Sequence, residues 1–309
     1  MNKIAIALHG GAGTLVKGQM TPSKELLYRQ TLKLALNEGY HILQNNGSAI
    51  EAATASVVVL EDSPLFNAGK GSVFTANGSH EMDASIMEGK NLNAGAVSLI
   101  SGIKNPILLA KDVMEKSEHV FLAGTGAQKF AEQLNYTIEN EDYFFDELRY
   151  QQWMEIRDTD NFQLDHSTKK DSKFGTVGAV ACDIDGNVAA ATSTGGMTNK
   201  RFGRVGDSPM IGSGNYANNR TCAVSCTGSG EFFIRGVVAY DVSCLMEYKG
   251  FSLKEATREV VHHRLAKIGG DGGLIAIDTK GNIAMPFNTE GMYRACKTKT
   301  SEKIAIYAD

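Results

Sequence analysis

Residues 175–194, GTVGAVACDIDGNVAAATST, read as two short apolar strands around an Asp185-Gly186-Asn187 turn. The first bond of this stretch, Gly175–Thr176, is the most informative in the chain. Before it lies 157-RDTDNFQLDHSTKKDSK-173, in which eight of 17 residues are charged and only Phe162 and Leu164 are large and apolar. Such a segment has little to bury and reads as a mobile linker. A threonine hydroxyl is a poor nucleophile at neutral pH without a base beside it. If the Gly175–Thr176 bond is cut, Thr176 becomes a chain terminus and its own α-amine can be that base. An α-amine titrates at roughly 7.7–8.0, close to working pH. A lone threonine opening a strand is ordinarily structural. The polar stretch before this one and the glycine-rich turns after it favour an enzyme that cuts itself.

The remaining composition narrows the classes. The chain has 309 residues and a formal charge of −4, enough for one large domain or two small ones. A mildly acidic chain without a basic block argues against nucleic acid or an anionic membrane as partner. The amino terminus, 1-MNKIAIALHGGAG-13, reads as a first strand and not as a secretion signal. No apolar run approaches the ~18 residues of a membrane span. The five cysteines, Cys182, Cys222, Cys226, Cys244 and Cys296, are scattered and odd in number. They are expected to be free thiols in a reducing cytoplasm, where the N-x-[ST] sites at Asn46, Asn77, Asn135 and Asn219 carry no meaning.

Helices are expected over about 22–45, capped by Thr21 or Ser23, and from Ser48 to about Leu60, with Glu51 completing a capping box. A strand at 93–101 and helices at 105–117 and 125–134 complete the first half. The second half reads as short strands at 176–183, 187–193, 221–227, 272–277 and 282–287, with helices at about 231–248 and 252–267. Strands and helices in blocks, joined by hairpins, suggest helix layers around antiparallel sheets.

Several clusters have chemical potential. Arg204 and Asp207, three apart in 203-GRVGDSP-209, share a turn; a guanidinium fork suits a carboxylate and an Asp suits an ammonium. Cys226-Thr227-Gly228-Ser229-Gly230 lies between a strand and a helix start, where backbone N–H groups favour a developing oxyanion. Arg204 and Asp207 could equally be a surface ion pair, and the threonines and glycines ordinary turn residues. His9-Gly10-Gly11 is similar to an α/β-hydrolase oxyanion loop, but the chain has no G-x-S-x-G elbow and no G-x-G-x-x-G. Cys222 and Cys226 share a strand face without a second ligand pair, and His262 and His263 point apart on a helix, so neither pair reads as a metal site.

The motifs HGGAG (9–13), 175-GTVGAVACD-183, 192-TSTGGMTNK-200, 203-GRVGDSP-209, 225-SCTGSGE-231 and 288-NTEGMYRA-295 resemble, in this order and over nearly the whole chain, the plant-type L-asparaginases. These are isoaspartyl peptidases of the N-terminal-nucleophile hydrolases. The resemblance implies an α+β fold, a four-layer αββα sandwich. It implies autocleavage of one domain into an α chain, 1–175, ending in the linker, and a β chain, 176–309, with a homodimer of such pairs, (αβ)2, as the active unit. It implies Thr176 as nucleophile with Thr194 beside it, Thr227 and Gly228 as the oxyanion hole, and Arg204, Asp207 and the Gly230 carbonyl around the substrate's α-carboxylate and α-amine. The loop 60-LEDSPLFNAGK-70 resembles the family's sodium loop, with backbone carbonyls of Leu60, Glu61, Ser63, Phe66, Ala68 and Lys70 as ligands. No organic cofactor is implied. The substrates implied are isoaspartyl dipeptides and asparagine. A glycosylasparaginase ranks below this reading, because such enzymes are typically exported and cut an Asp-Thr bond. A catalytically silent binder of aspartate-like metabolites ranks below it too, because every matched catalytic position is occupied.

Overall fold

A computed structural model describes residues 4–159 and 175–308. The polar stretch at 157–173 lies outside the described residues from Asp160 onward.

The first half runs β1 (Ala5–Gly13), α1 (Pro22–Gln44), α2 (Ala49–Glu61), β2 (Met82–Glu88), β3 (Ala94–Ile100), α3 (Pro106–Lys116), β4 (Phe121–Ala123), α4 (Gly124–Gln133), α5 (Glu141–Phe144) and α6 (Glu147–Ile156). The second half runs β5 (Val177–Cys182), β6 (Val188–Thr194), β7 (Asn215–Ala217), β8 (Cys222–Gly228), α7 (Gly230–Gly236), α8 (Val238–Lys249), α9 (Leu253–Glu259), β9 (Gly272–Asp278), β10 (Ile283–Ala284), β11 (Gly291–Thr298) and β12 (Glu302–Tyr307).

The predicted caps are present. Thr21 accepts the Lys24 N–H at the start of α1. Ser48 and Glu51 form a reciprocal capping box on α2, which satisfies two of the first turn's orphan donors. The hairpin at Asp185-Gly186-Asn187 forms because Asp183 Oδ1 accepts the N–H groups of both Asp185 and Asn187, and Gly186 takes the left-handed conformation that the turn needs.

Two sheets result. The larger has the order β12-β11-β1-β5-β6-β2-β3-β4 and the smaller β10-β9-β8-β7. Every pairing is antiparallel except β3 with β4. Three apolar clusters hold them. One, including Leu32, Leu36, Val57, Ile86 and Val177, lies between α1–α4 and the large sheet. A second, including Val224, Phe233, Val242 and Leu274, lies between the small sheet and α7–α9. A third, built from Ala5, Ala7, Val180, Ala190, Ala223 and Ile275, joins the faces of the two sheets. The strands bearing these residues are buried along nearly their whole length because both faces are covered.

The structure departs from the sequence reading in several places. Strands β2, β11 and β12 were not foreseen. β2 (MDASIME) alternates Met82, Ala84 and Ile86 with Asp83 and Ser85, yet both faces are buried up to its last residue. The expected helix over 231–248 is two helices, broken at Val237, which adopts a left-handed φ of 46°. The expected helix over 252–267 continues α9 through a π turn at Val260–Leu265. The strand expected at 282–287 shrinks to Ile283–Ala284, with Phe287 making an isolated bridge to Gly273.

Candidate active site

Thr176 immediately precedes β5, the central strand beside β1 and β6. The antiparallel register pairs Val177 with Ser193, which carries Thr176 alongside Thr194. Both threonines are buried. The Thr176 hydroxyl lies 3.1 Å from the hydroxyl of Ser208, and Thr194 Oγ1 accepts the N–H of Gly196 at 3.0 Å. Gly175 is wedged between two neighbours. A Cβ placed on it would lie 2.9 Å from Thr227 Oγ1 and 3.5 Å from Gly11 Cα. The HGG loop therefore backs directly onto the expected scissile residue.

Thr227, near the end of β8, is fully buried, and its hydroxyl has no hydrogen-bond partner among the described residues. A buried hydroxyl without a partner costs free energy, about 1–3 kcal/mol. It is a donor held in reserve next to Gly175. The backbone donors expected at this junction are partly consumed: the Ser229 N–H is taken by the Asp271 carbonyl at 3.1 Å.

Arg204, Asp207 and Gly230 do converge. A Cβ on Gly230 would lie 2.9 Å from Asp207 Oδ1 and 3.0 Å from an Arg204 terminal nitrogen. Arg204 and Asp207 are not a surface ion pair with each other. The Arg204 fork instead engages Glu231, Nε to Oε1 at 2.8 Å and Nη2 to Oε2 at 2.9 Å. Asp207 is buried and its Oδ2 has no hydrogen bond among the described residues. Burial pushes its carboxyl up to about 7; its own backbone N–H and the Arg204 charge oppose this. A nearby cation would favour the charged form of this carboxyl and lower its pKa.

Behind the nucleophile, the space between the sheets holds a chain of polar groups that sequence reasoning missed. Ser208 accepts at its carbonyl from Ser85 Oγ (2.6 Å). Asn215 Nδ2 donates to the Ser85 carbonyl (3.2 Å) and to Thr192 Oγ1 (3.0 Å). Thr192 meets Ser225 Oγ at 2.7 Å, and Ser225 meets His9 Nε2 at 3.0 Å. Burial lowers His9 to about 3, with the backbone of Thr176 opposing only in part, so the ring is neutral. Ser208, Thr192 and Ser225 stand inside the quoted motifs, but nothing in their spacing marks them as a network.

The loop at 60–70 is a tight curl closed by a 3-10 turn at Gly69–Gly71. Backbone carbonyls crowd its glycines. A Cβ on Gly69 would lie 2.5 Å from the Glu61 carbonyl, and one on Gly71 would lie 2.1 Å from that of Phe66. The Glu61 side chain turns inward. Its Oε1 accepts from Ser193 Oγ (2.6 Å) and from the Ile107 N–H (3.0 Å), and burial raises its carboxyl to about 8. Among the described residues no group of three His, Cys, Asp or Glu side chains could hold a metal, and no helix is long and apolar enough to cross a membrane.

The Thr176 hydroxyl and the unpaired Thr227 hydroxyl thus both lie next to Gly175, and the Arg204, Asp207 and Gly230 cluster adjoins Ser208, which touches Thr176. The chain belongs to the asparaginase family, whose model matches residues 2–306. It is 52% identical over 298 residues to the isoaspartyl peptidase of Escherichia coli strain K12, covering 96% of this chain and 93% of that one. It is 42% identical over 306 residues to the isoaspartyl peptidase/L-asparaginase of Xenopus laevis, covering 99% and 96%. The mouse protein of that name is 42% identical over 289 residues, covering 94% and 86%.

Proposed function

We propose that this chain is a β-aspartyl peptidase with L-asparaginase activity, working through Thr176 after cleavage before that residue. The observation that carries the reading is the unpaired Thr227 hydroxyl beside Gly175, next to the buried Thr176. In maturation, Thr176 Oγ attacks the Gly175 carbonyl carbon. The peptide C–N bond breaks, the nitrogen becomes the free α-amine of Thr176, and water opens the resulting ester to a Gly175 carboxylate. In turnover, the same hydroxyl attacks the β-carbonyl of an isoaspartyl dipeptide or asparagine. The α-amine of Thr176 takes the hydroxyl proton and passes it to the leaving amine. Thr227 and Gly228 stabilise the oxyanion, Arg204 and Asp207 hold the aspartyl head, and water releases aspartate from the ester.

The finer architecture follows the same reading. Two sheets with apolar clusters between them and on their outer faces support an αββα sandwich. One domain then divides into an α chain, 1–175, and a β chain, 176–309, that pair again as (αβ)2 in the cytoplasm. The carbonyl-lined curl at 60–70 fits a sodium ion held through backbone oxygens of Leu60, Glu61, Ser63, Phe66, Ala68 and Lys70; the ion orders the loop and takes no part in bond making. No disulfide joins the cysteines among the described residues, which suits a reducing compartment.

Intact-mass analysis with parallel amine-release assays tests the reading. Two fragments meeting at Gly175/Thr176 are expected without added protease, with product from both β-aspartyl-leucine and asparagine. Thr176→Ala should stay one chain and release nothing. Clean cleavage in that variant would remove Thr176 from the mechanism.

A further inference from the structure

A cavity of about 600 Å³ opens beside the site, lined among others by Thr75, Asn77, Glu81, Lys200, Arg201 and Gly203. That is the size of a small-molecule pocket. It belongs to none of the roles assigned above. Its most unusual member is Lys200, whose side chain is 1% exposed. The Lys200 ammonium makes no hydrogen bond among the described residues. Its ion-pair partner is Glu81, 3.4 Å away and itself partly exposed. Lysine is almost never buried unless paired or waiting for a partner.

The position of Lys200 relative to the nucleophile follows from the local packing. Its side chain lies 3.1 Å from where a Cβ on Gly196 would sit, and the Gly196 N–H is bonded to Thr194 Oγ1. Thr194 stands across the ladder from Asp83 on β2. The buried Asp83 carboxyl, held by the Leu99 N–H at 2.9 Å, feels the positive charges of both Lys200 and Arg204. Two cations thus flank one buried acid next to the reacting threonines. Arg204 is the cation of the substrate-head clamp. Lys200 lines the cavity together with Gly203, the residue before Arg204. Of the cations in the described lining, Arg157 pairs with Asp158 and Arg201 donates to the Thr159 carbonyl, whereas Lys200 has the partly exposed Glu81.

Asparagine carries one carboxylate, whereas an isoaspartyl dipeptide carries two: the α-carboxylate of the aspartyl head and the free carboxylate of the leaving residue. We propose that the cavity receives the leaving residue of an isoaspartyl dipeptide and that Lys200 binds its free carboxylate, with Glu81 giving up its place as counter-ion. This rests on the peptidase reading above and adds to it a specificity determinant for the leaving side.

The test compares the processed enzyme on three substrates: β-aspartyl-leucine, its C-terminal amide, and asparagine. A charge-assisted contact of about 1.5–3 kcal/mol predicts that wild type prefers the free acid over the amide by roughly tenfold or more in kcat/KM, mainly through KM. Lys200→Met should bring that ratio near one, and Lys200→Arg should restore part of it. A purely structural lysine would lower kcat/KM for acid and amide alike and leave their ratio unmoved. Equal use of acid and amide by wild type, which needs no variant to fold, overturns the subsite while the peptidase reading stands. Absence of product from all three substrates overturns both.

Discussion

Thr227 has a buried hydroxyl with no partner among the described residues, a condition that folded proteins rarely tolerate without a use. Its neighbours explain the vacancy. Gly175 on one side has no side chain to offer, and the strand partner, Gly273, has none either. Under the proposed mechanism the hydroxyl is satisfied when an oxyanion forms beside Thr176. Thr227→Val keeps the shape and removes the donor. Its kcat is expected to fall by about 10²–10³-fold, the loss typical of one oxyanion donor, with KM changed far less. Steady-state kinetics on asparagine, normalised to the processed fraction, decides this. An unchanged kcat would place the oxyanion hole elsewhere. The sequence pointed to Thr227 through its motif but not to its isolation, which depends on strands brought together from residues 9–11, 175 and 272–273.

At the scale of elements, the break between α7 and α8 is the clearest conflict between local preference and tertiary demand. The apolar run at 231–248 suits one helix. The chain instead turns at Val237, a β-branched residue forced to a left-handed φ of 46°, at a cost of roughly 1–2 kcal/mol. The turn is held because the Ala239 and Tyr240 N–H groups bond the Ser213 and Gly212 carbonyls, tying α8 to the loop that follows Asp207. Val237 is 44% exposed, so replacing it forfeits little packing. Val237→Gly should therefore raise stability by about 1 kcal/mol, the relief of strain exceeding the added freedom of glycine in the unfolded chain. Thermal unfolding of the two proteins side by side measures it. A lower midpoint for the glycine variant would mean that the valine side chain packs better than its exposure implies.

For the whole molecule, the polar layer between the sheets sets a pH limit. His9 is buried and neutral, taking its proton only near pH 3 when folded, against 6.5 for the unreacted side chain. Between those values the unfolded chain binds the proton and the folded chain does not. The contribution of His9 to stability is thus complete above about pH 6.5 and is lost as pH falls toward 3. His80, lowered to about 4 by burial, acts in the same direction. Glu61, Asp83 and Asp207 are raised by burial and act oppositely, favouring the folded state at lower pH. A difference measurement cancels them. Urea unfolding at pH 7 and pH 4.5 should show His9→Gln losing less stability on acidification than wild type, by about 2–3 kcal/mol. Equal losses would mean that the ring is hydrated or already charged.

Much of this was legible one segment at a time. The caps of α1 and α2, the hairpin at 185–187 and the strands around Thr176 depend on neighbours within a few positions, and local chemistry specifies them; the motif residues were legible through their resemblance to a family. The breaks at Val237 and Val260–Leu265 were not legible, because long-range ties override propensity; β2 went unread although Met82 to Ile86 alternates apolar and polar residues. Tertiary structure alone decided that Arg204 faces Glu231, that Ser208 meets Thr176, and that Lys200 pairs with Glu81. Each joins residues from separate elements, and a one-dimensional pattern carries no record of which strands will face each other. The sequence by itself determined the nucleophile candidate and the class of chemistry, because a threonine behind a glycine, followed by glycine-rich turns, constrains its own local geometry. Which polar groups would be left unpartnered around that threonine was decided only when the two sheets closed over it and excluded water.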